Sequence, residues 1–197
     1  MRVTAEAKEA TRRKILDMSQ DLFRTAGYEA TTTRDIARAA GIAAGTLFNY
    51  FGTKEAIVTA LVVDSQSRIA SSFDAEQAQS LEEALFAHAA AGMRSLKPYR
   101  KYLTPVLETA LSPLAESNQN GVDQSLKTDH LAMVFELARR FKREASLTPT
   151  AMQLYWTLYL GVLSSWTRDK SPKQEETLAL LDQSMAMFAH WLESDEG

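Results

Sequence analysis

The sequence predicts an all-α protein with a small N-terminal three-helix head, a linking helix and a larger C-terminal helical body. Three observations carry that expectation. Apolar residues recur at three- and four-residue spacing over most of the chain. Only 8 Gly and 5 Pro interrupt 197 residues, and β-branched residues do not gather into the short alternating runs that strands need. At this length a head and a body can share the chain, and 45% hydrophobic with 24% charged residues is an ordinary globular balance.

The first helix is expected from about Thr4 to Ala26, with Ile15, Met18, Leu22 and Phe23 on one stripe and Arg12, Arg13 and Lys14 clustered near its start. Gly27 ends it, and Tyr28 is expected to pack back into the head. Thr32 then precedes a short periodic run, with Asp35 three residues on as capping-box partner and Ile36, Ala37 and Ala40 on one face. Gly41 supplies the positive φ that stops a helix and turns the chain. Ile42 would plug the gap, and from about Ala44 helical spacing resumes. Leu47 and Phe51 point inward there, leaving Thr46, Asn49 and Tyr50 outward. Thr53 is placed to cap the next helix, with Lys54 beside the groove helix. Two short helices around a glycine turn are the helix-turn-helix plan, whose second helix enters a major groove. The same pattern alone would also suit an alanine-rich helical hairpin.

Thr11 to Leu61 resembles the TetR family of bacterial transcriptional regulators. The residues concerned are Gly27-Tyr28, Thr32-Thr33-Arg34-Asp35-Ile36-Ala37, Ala40-Gly41-Ile42, Gly45-Thr46-Leu47-Phe48, Tyr50-Phe51 and Lys54-Glu55. Two positions depart from the family pattern: Ala43 stands where a capping serine is usual, and Phe48 where a tyrosine is usual. Each change removes a hydroxyl. The resemblance implies a DNA-binding domain over residues 1–55 and an effector-binding and dimerisation domain over 56–197.

Charge is divided in the sense this requires. Residues 1–55 hold nine Lys or Arg against seven Asp or Glu, and the remainder holds thirteen against eighteen. For base edges the candidates are Arg34, Ala44, Gly45, Thr46, Phe48 and Asn49, with Arg34 suited to guanine, Asn49 to adenine and Phe48 to a thymine methyl. For phosphates they are Thr32, Thr33, Tyr50 and Lys54. Polar base readout is sparse, so DNA shape is expected to carry much of the specificity.

Beyond the linking helix, Lys54 to about Phe73, a polar stretch leads to a helix capped near Ser80 and stopped by Pro98. A shorter helix from Tyr99 to Leu111 contains Pro105, and Pro113 to Asp123 reads as a loop. Val122 to Ala145 is expected to be helical, with Leu131, Val134, Ala138 and Phe141 on one stripe. Thr148 and Pro149 open a helix that is apolar nearly all round, which must be covered on every side. The last helix, Pro172 to Leu192, carries two apolar stripes: Leu178, Leu181, Met185, Phe188 and Leu192 on one, Leu180, Met187 and Trp191 on the other.

Two stripes on one helix predict a homodimer built as a four-helix bundle, with Leu158, Gly161, Ser165, Leu178, Leu181, Met185, Phe188 and Leu192 at its interface. The alternative is that both stripes serve one intramolecular core. Soft and aromatic side chains, Phe86, His88, Met93, Tyr102, Met133, Tyr155, Trp156 and Tyr159, could line a cavity for a small apolar or aromatic effector, an expectation taken from the resemblance.

No cysteine occurs, which excludes a disulfide framework, a thiolate zinc site and a thiol redox sensor. His88, His130 and His190 lie on separate helices without ligand spacing, so no metal site, cofactor or catalytic set is expected. With no basic-then-apolar leader and no bilayer-length apolar run, a cytoplasmic protein that does not enter a membrane is expected. Together with the helix-turn-helix, the resemblance implies a repressor that binds a near-palindromic DNA operator as a homodimer and is released by an effector. Two alternatives remain: a regulator of the same architecture with no effector or acting as an activator, and a helical carrier or enzyme with a vestigial head.

Overall fold

The computed structural model describes residues 4–70, 77–104, 107 and 122–194, with side chains of 66–70 and 122–126 left out. Among the described residues there are eight α-helices, three short 3-10 turns and no strand. By compactness the chain divides into Met1–Leu61 and Val62–Gly197, a boundary that falls inside one helix.

The first unit contains α1 (Ala5–Thr25), α2 (Thr33–Ala40), α3 (Ala44–Tyr50) and the start of α4 (Lys54–Ala70). Thr4 caps α1 by accepting a hydrogen bond from the Ala7 amide at 3.2 Å. Ile15, Leu16 and Phe23 of α1 join Ile36, Ala37, Ala40, Leu47 and Phe51 in the core. The expected stripe on α1 is rotated slightly. Met18 and Leu22 are half-buried, while Leu16 and Ser19 take the buried places. Ser19 is tolerated there because its hydroxyl donates to the Ile15 carbonyl at 2.7 Å.

In the second unit, α5 (Leu81–Leu96) begins at Ser80, whose hydroxyl accepts from the Glu83 amide at 3.1 Å. As expected, Leu81, Leu85, His88, Gly92 and Leu96 are buried on it. A 3-10 turn, Lys97–Tyr102, follows where a new helix was expected to start. Beyond residue 104 the expected helix to Leu111, apart from residue 107, lies outside the described residues, as do the expected loop up to residue 121, the expected linking helix beyond Ala70 and the start of the polar stretch after it.

The next helix, α6 (Val122–Arg140), ends earlier than its periodicity suggested. Lys142 adopts φ 59, letting the Arg143 amide reach back to the Ala138 carbonyl at 2.8 Å. The buried face of α6 accordingly carries His130, Val134, Leu137 and Ala138, while Leu131 and Phe141 are half-buried.

Thr148 and Pro149 do open α7 (Pro149–Arg168), with the Thr148 hydroxyl accepting from the Ala151 amide at 3.2 Å. Arg100 closes its far end: Nε donates to the Trp166 carbonyl at 2.8 Å and the guanidinium also donates to the Asp169 carbonyl. Asp169 then ties α7 to α8 (Glu175–Ser194) by accepting from the Ser171 amide at 2.7 Å and from the Thr177 amide at 3.0 Å. The Ser171 and Thr177 hydroxyls hold its carboxyl well below the usual range.

Lys142 and Lys173 sit at φ 59 and φ 52, in the left-handed region where a Cβ is strained. Lys142→Gly and Lys173→Gly are each expected to stabilise the protein by about 0.5–1 kcal/mol in urea denaturation, whereas alanine at either position should give no gain.

Candidate functional site

The helix-turn-helix starts on a closed capping box. The Thr32 hydroxyl accepts from the Asp35 amide at 3.2 Å, and an Asp35 carboxylate oxygen accepts from the Thr32 amide at 3.1 Å. The same hydroxyl donates to Asp35 at 2.5 Å, and these Thr32 contacts hold the carboxyl below its ordinary value. Thr32 therefore has its hydroxyl occupied at both ends and acts as a cap rather than as the expected phosphate donor. Thr33, half-buried at the first helical position, stays available for that task.

Gly41 ends α2 at φ 69, with the Ile42 amide donating to the Ala37 carbonyl at 3.0 Å. A Cβ on Gly41 would meet only Lys14 Nζ at 3.6 Å, an ordinary contact. The backbone angle, not crowding, is what asks for glycine there.

Ala43 offers α3 no side-chain cap. The seven-residue helix is held instead through Leu47, fully buried, and Phe51 beyond its end. Its exposed positions are Gly45, Phe48 and Asn49, and Arg34 is exposed on α2. Phe48 is 52% exposed. Ala44, Thr46 and Tyr50 are half-buried.

Lys54 was expected on a phosphate, but its ammonium is engaged within the head. Nζ donates to the Tyr28 carbonyl at 2.7 Å and to the Thr31 carbonyl at 3.2 Å, and sits 4.0 Å from the Tyr28 ring centroid. The Tyr28 hydroxyl donates to Glu55 Oε1 at 3.0 Å, and its ring meets Phe23 edge-on at 5.2 Å. The Glu55 carboxyl is held low first by its own backbone amide and then by the Tyr28 hydroxyl. Consecutive residues at the start of α4 thus grip Tyr28 from its carbonyl, its face and its hydroxyl. Spacing could not show this, because the partners are 26 and 27 residues apart.

In the second unit, α5, α6, α7 and α8 bring together side chains that the sequence kept apart. His88 and His130 lie 4.4 Å apart by ring centroids. His130 is stacked on Tyr159 at 4.3 Å and shares a 3.1 Å hydrogen bond between its Nε2 and Tyr155 Oη. Trp156 meets His130 at 5.7 Å, and Phe188 meets Tyr155 at 5.3 Å. Of the expected effector residues, the structure gathers His88, Tyr155, Trp156 and Tyr159 into this cluster and adds His130 and Phe188, which periodicity alone could not pair with them. Tyr102 packs against Tyr99 at 6.1 Å, Met93 is buried, and Phe86 and Met133 are half-buried.

Burial pushes His88 down to about 4, against a smaller opposing effect from the His130 backbone, and pushes His130 well down too, helped by His88. The same burial pushes the Tyr155 and Tyr159 phenols up. The cluster is uncharged at neutral pH. Among the described residues no three metal-ligating side chains converge.

On α8 the structure separates the two apolar stripes. Leu181, Met185, Phe188 and Leu192 are at most 1% exposed within the subunit, so they serve its own core and not the expected interface. The outward face carries Leu178 at 42%, Leu180 at 40%, Met187 at 69% and Trp191 at 37%. On α7, Gly161 and Ser165 are exposed and Leu158 is half-buried.

The neutral histidine pair sets a pH dependence. A histidine whose folded value lies below its unfolded one binds fewer protons when folded, so stability falls as pH drops from near 6.5 towards 4. Thermal melts of the wild type should lose more stability across that window than His88→Gln does, and parallel curves would remove His88 as the cause.

Comparison with known proteins finds matches to both the head and the body. The family model "Bacterial regulatory proteins, tetR family" matches residues 15–61, and "Tetracyclin repressor-like, C-terminal domain" matches 85–195. The HTH-type transcriptional repressor KstR2 of Rhodococcus jostii is 47% identical over 51 residues, 26% of this chain and 25% of that protein. The chain thus aligns with only about a quarter of that curated relative's length.

A TetR transcriptional regulator from a Rhodococcus species shares the fold at a TM-score of 0.71, with 18% identity over 92% of this chain and 97% of that one. Thermus thermophilus FadR, solved in complex with lauroyl-CoA, shares it at 0.61, with 18% identity over 90% of this chain and 92% of that one. With one model on the helix-turn-helix and the other spanning more than half of the chain, this protein belongs to the TetR family of bacterial transcriptional regulators.

Proposed function

We propose that the protein is a ligand-responsive transcriptional repressor that binds a near-palindromic operator as a homodimer and is released by a small apolar or aromatic effector. The observation that carries the regulatory half is α3. It is a short helix anchored by Leu47 whose outward positions Gly45, Phe48 and Asn49 stay open, beside the exposed Arg34 of α2. Arg34 suits a guanine edge, Asn49 an adenine edge and Phe48 a thymine methyl, while Ala44 and Thr46 line the same helix. Thr33 and Tyr50 are left for phosphates. The named repressor among the relatives supports the sign of regulation.

In this reading residues 1–55 bind DNA and residues 56–197 bind the effector and the second subunit, in the cytoplasm. Among the described residues no helix is long and apolar enough to cross a membrane. The outward stripe of α8, Leu178, Leu180, Met187 and Trp191, supports pairing with a second copy beside Leu158, Gly161 and Ser165 of α7. Two-fold pairing would set the heads at half-sites about 34 Å apart, one turn of DNA.

FadR, which shares this fold, is known in complex with lauroyl-CoA, and in this chain the buried aromatic cluster is the candidate ligand site. Such a ligand shifts the equilibrium only by its differential affinity for the DNA-fitting and non-fitting states.

Selection of random duplexes by the purified protein is expected to enrich a near-palindrome, and no enrichment by a folded dimer would refute a sequence-specific regulator. On that operator Arg34→Ala should cost about 1–3 kcal/mol and relax one position of the site. Lys54→Ala should lower the melting temperature and weaken all sequences alike without changing the salt slope, because its ammonium holds Tyr28; a slope reduced by about one would return Lys54 to the phosphates.

Met187→Asp with Leu178→Asp should give a folded monomer in sedimentation, and a persistent dimer would move the interface elsewhere. Phe188→Asp, by contrast, should unfold the body.

A further inference from the structure

The buried polar groups of the body do not all satisfy one another. His130 and Tyr155 have each committed a polar atom to their shared 3.1 Å hydrogen bond. Tyr159 lies against the same imidazole at 4.3 Å and 20°, yet its hydroxyl, fully buried, meets no hydrogen-bond partner among the described residues. Buried unpaired polar groups are rare in native proteins, and a bound molecule, ion or water that completes them is one reason they are kept.

The surroundings restrict what that can be. His88 and His130 are kept uncharged by burial, and the Tyr159 phenol keeps its proton for the same reason, so its O–H is available to donate to an acceptor. Among the described residues the cation against these rings is Lys127, 5.9 Å from the Trp156 centroid and donating to Gln153 at 2.7 Å. A carboxylate brought to Tyr159 would lose its hydration without gaining a counter-charge there. A plain hydrocarbon would stack on the rings but leave the hydroxyl unmet.

We infer that Tyr159 is the polar anchor of the effector site, and that the site takes an uncharged molecule with a flat or alicyclic apolar body bearing a carbonyl-type acceptor. This rests on the reading that the body binds an effector, and it names what that effector must present. Tyr155, His130 and Trp156 supply the aromatic faces, and the Tyr159 hydroxyl supplies the hydrogen bond that distinguishes a ketone from its hydrocarbon counterpart.

The test uses the full-length protein and three probes of similar size: 1-tetralone, tetralin and 1-naphthoate, followed by tryptophan fluorescence and melting temperature. The ketone is expected to bind about tenfold more tightly than tetralin, the worth of one hydrogen bond, with naphthoate weakest. Tyr159→Phe should bring the ketone down to tetralin's affinity and leave tetralin unchanged. Its melting temperature without ligand should equal or exceed the wild type's, since it removes a hydroxyl that pairs with nothing among the described residues.

The carbonyl stretch of bound tetralone in the wild type, shifted down relative to the free ketone in hydrocarbon, reads the same bond should the variant fold poorly. The inference is overturned by tightest binding of naphthoate, by a ketone preference that survives in Tyr159→Phe, by a lower melting temperature of that variant, by an unshifted carbonyl, or by no probe binding at all. DNA binding is followed in the same samples. Tyr159-dependent ketone binding with the duplex still held at saturation upholds the anchor and counts against release by ligand.

Discussion

A two-turn helix cannot hold itself in water, because fixing its first turn costs more than its few hydrogen bonds return. α3 has seven residues and no side-chain cap, so it depends on being pressed against the rest of the head. Leu47 does this from within the helix and Phe51 from its end, both buried. Fully burying a leucine is worth roughly 1.5–3 kcal/mol, more than the cap that Ala43 forgoes. The face that would read DNA is therefore positioned by the face that does not, and Phe48 can stand exposed because Leu47 carries the packing.

The same dependence explains why Lys54 belongs to the head's structure. Tyr28 follows the positive-φ Gly27 and precedes the capping box of α2. Holding its carbonyl, ring face and hydroxyl from the first turn of α4 closes the head into one piece. A residue with a charge near a groove helix invites assignment to phosphate. Geometry gives it to the protein's own carbonyls instead.

The body places its polar groups where they are costly. Two histidines and two tyrosines meet inside a helical core, uncharged because burial opposes every charge they could carry. A purely structural core would be better served by aliphatic side chains. The Tyr159 hydroxyl, unpaired among the described residues, is the kind of feature that a ligand-binding core retains and a packing core discards.

The helical class, the head with its capping box, the Gly41 stop and the caps at Ser80 and Thr148 were all readable from residue order, because each rests on partners within four or five positions. The family signature was readable for the same reason. Tertiary structure alone decided which apolar stripe of α8 faces inward, since Leu181 with Phe188 and Leu180 with Met187 have the same helical spacing. It alone ended α6 at Arg140, through a left-handed lysine that carries no glycine signal. It also brought His88 to His130 and Lys54 to Tyr28, pairs 42 and 26 residues apart. Local hydrogen bonds and periodicity are written in adjacent residues, whereas contacts between helices depend on how each is rotated about its axis, which only the packed whole determines.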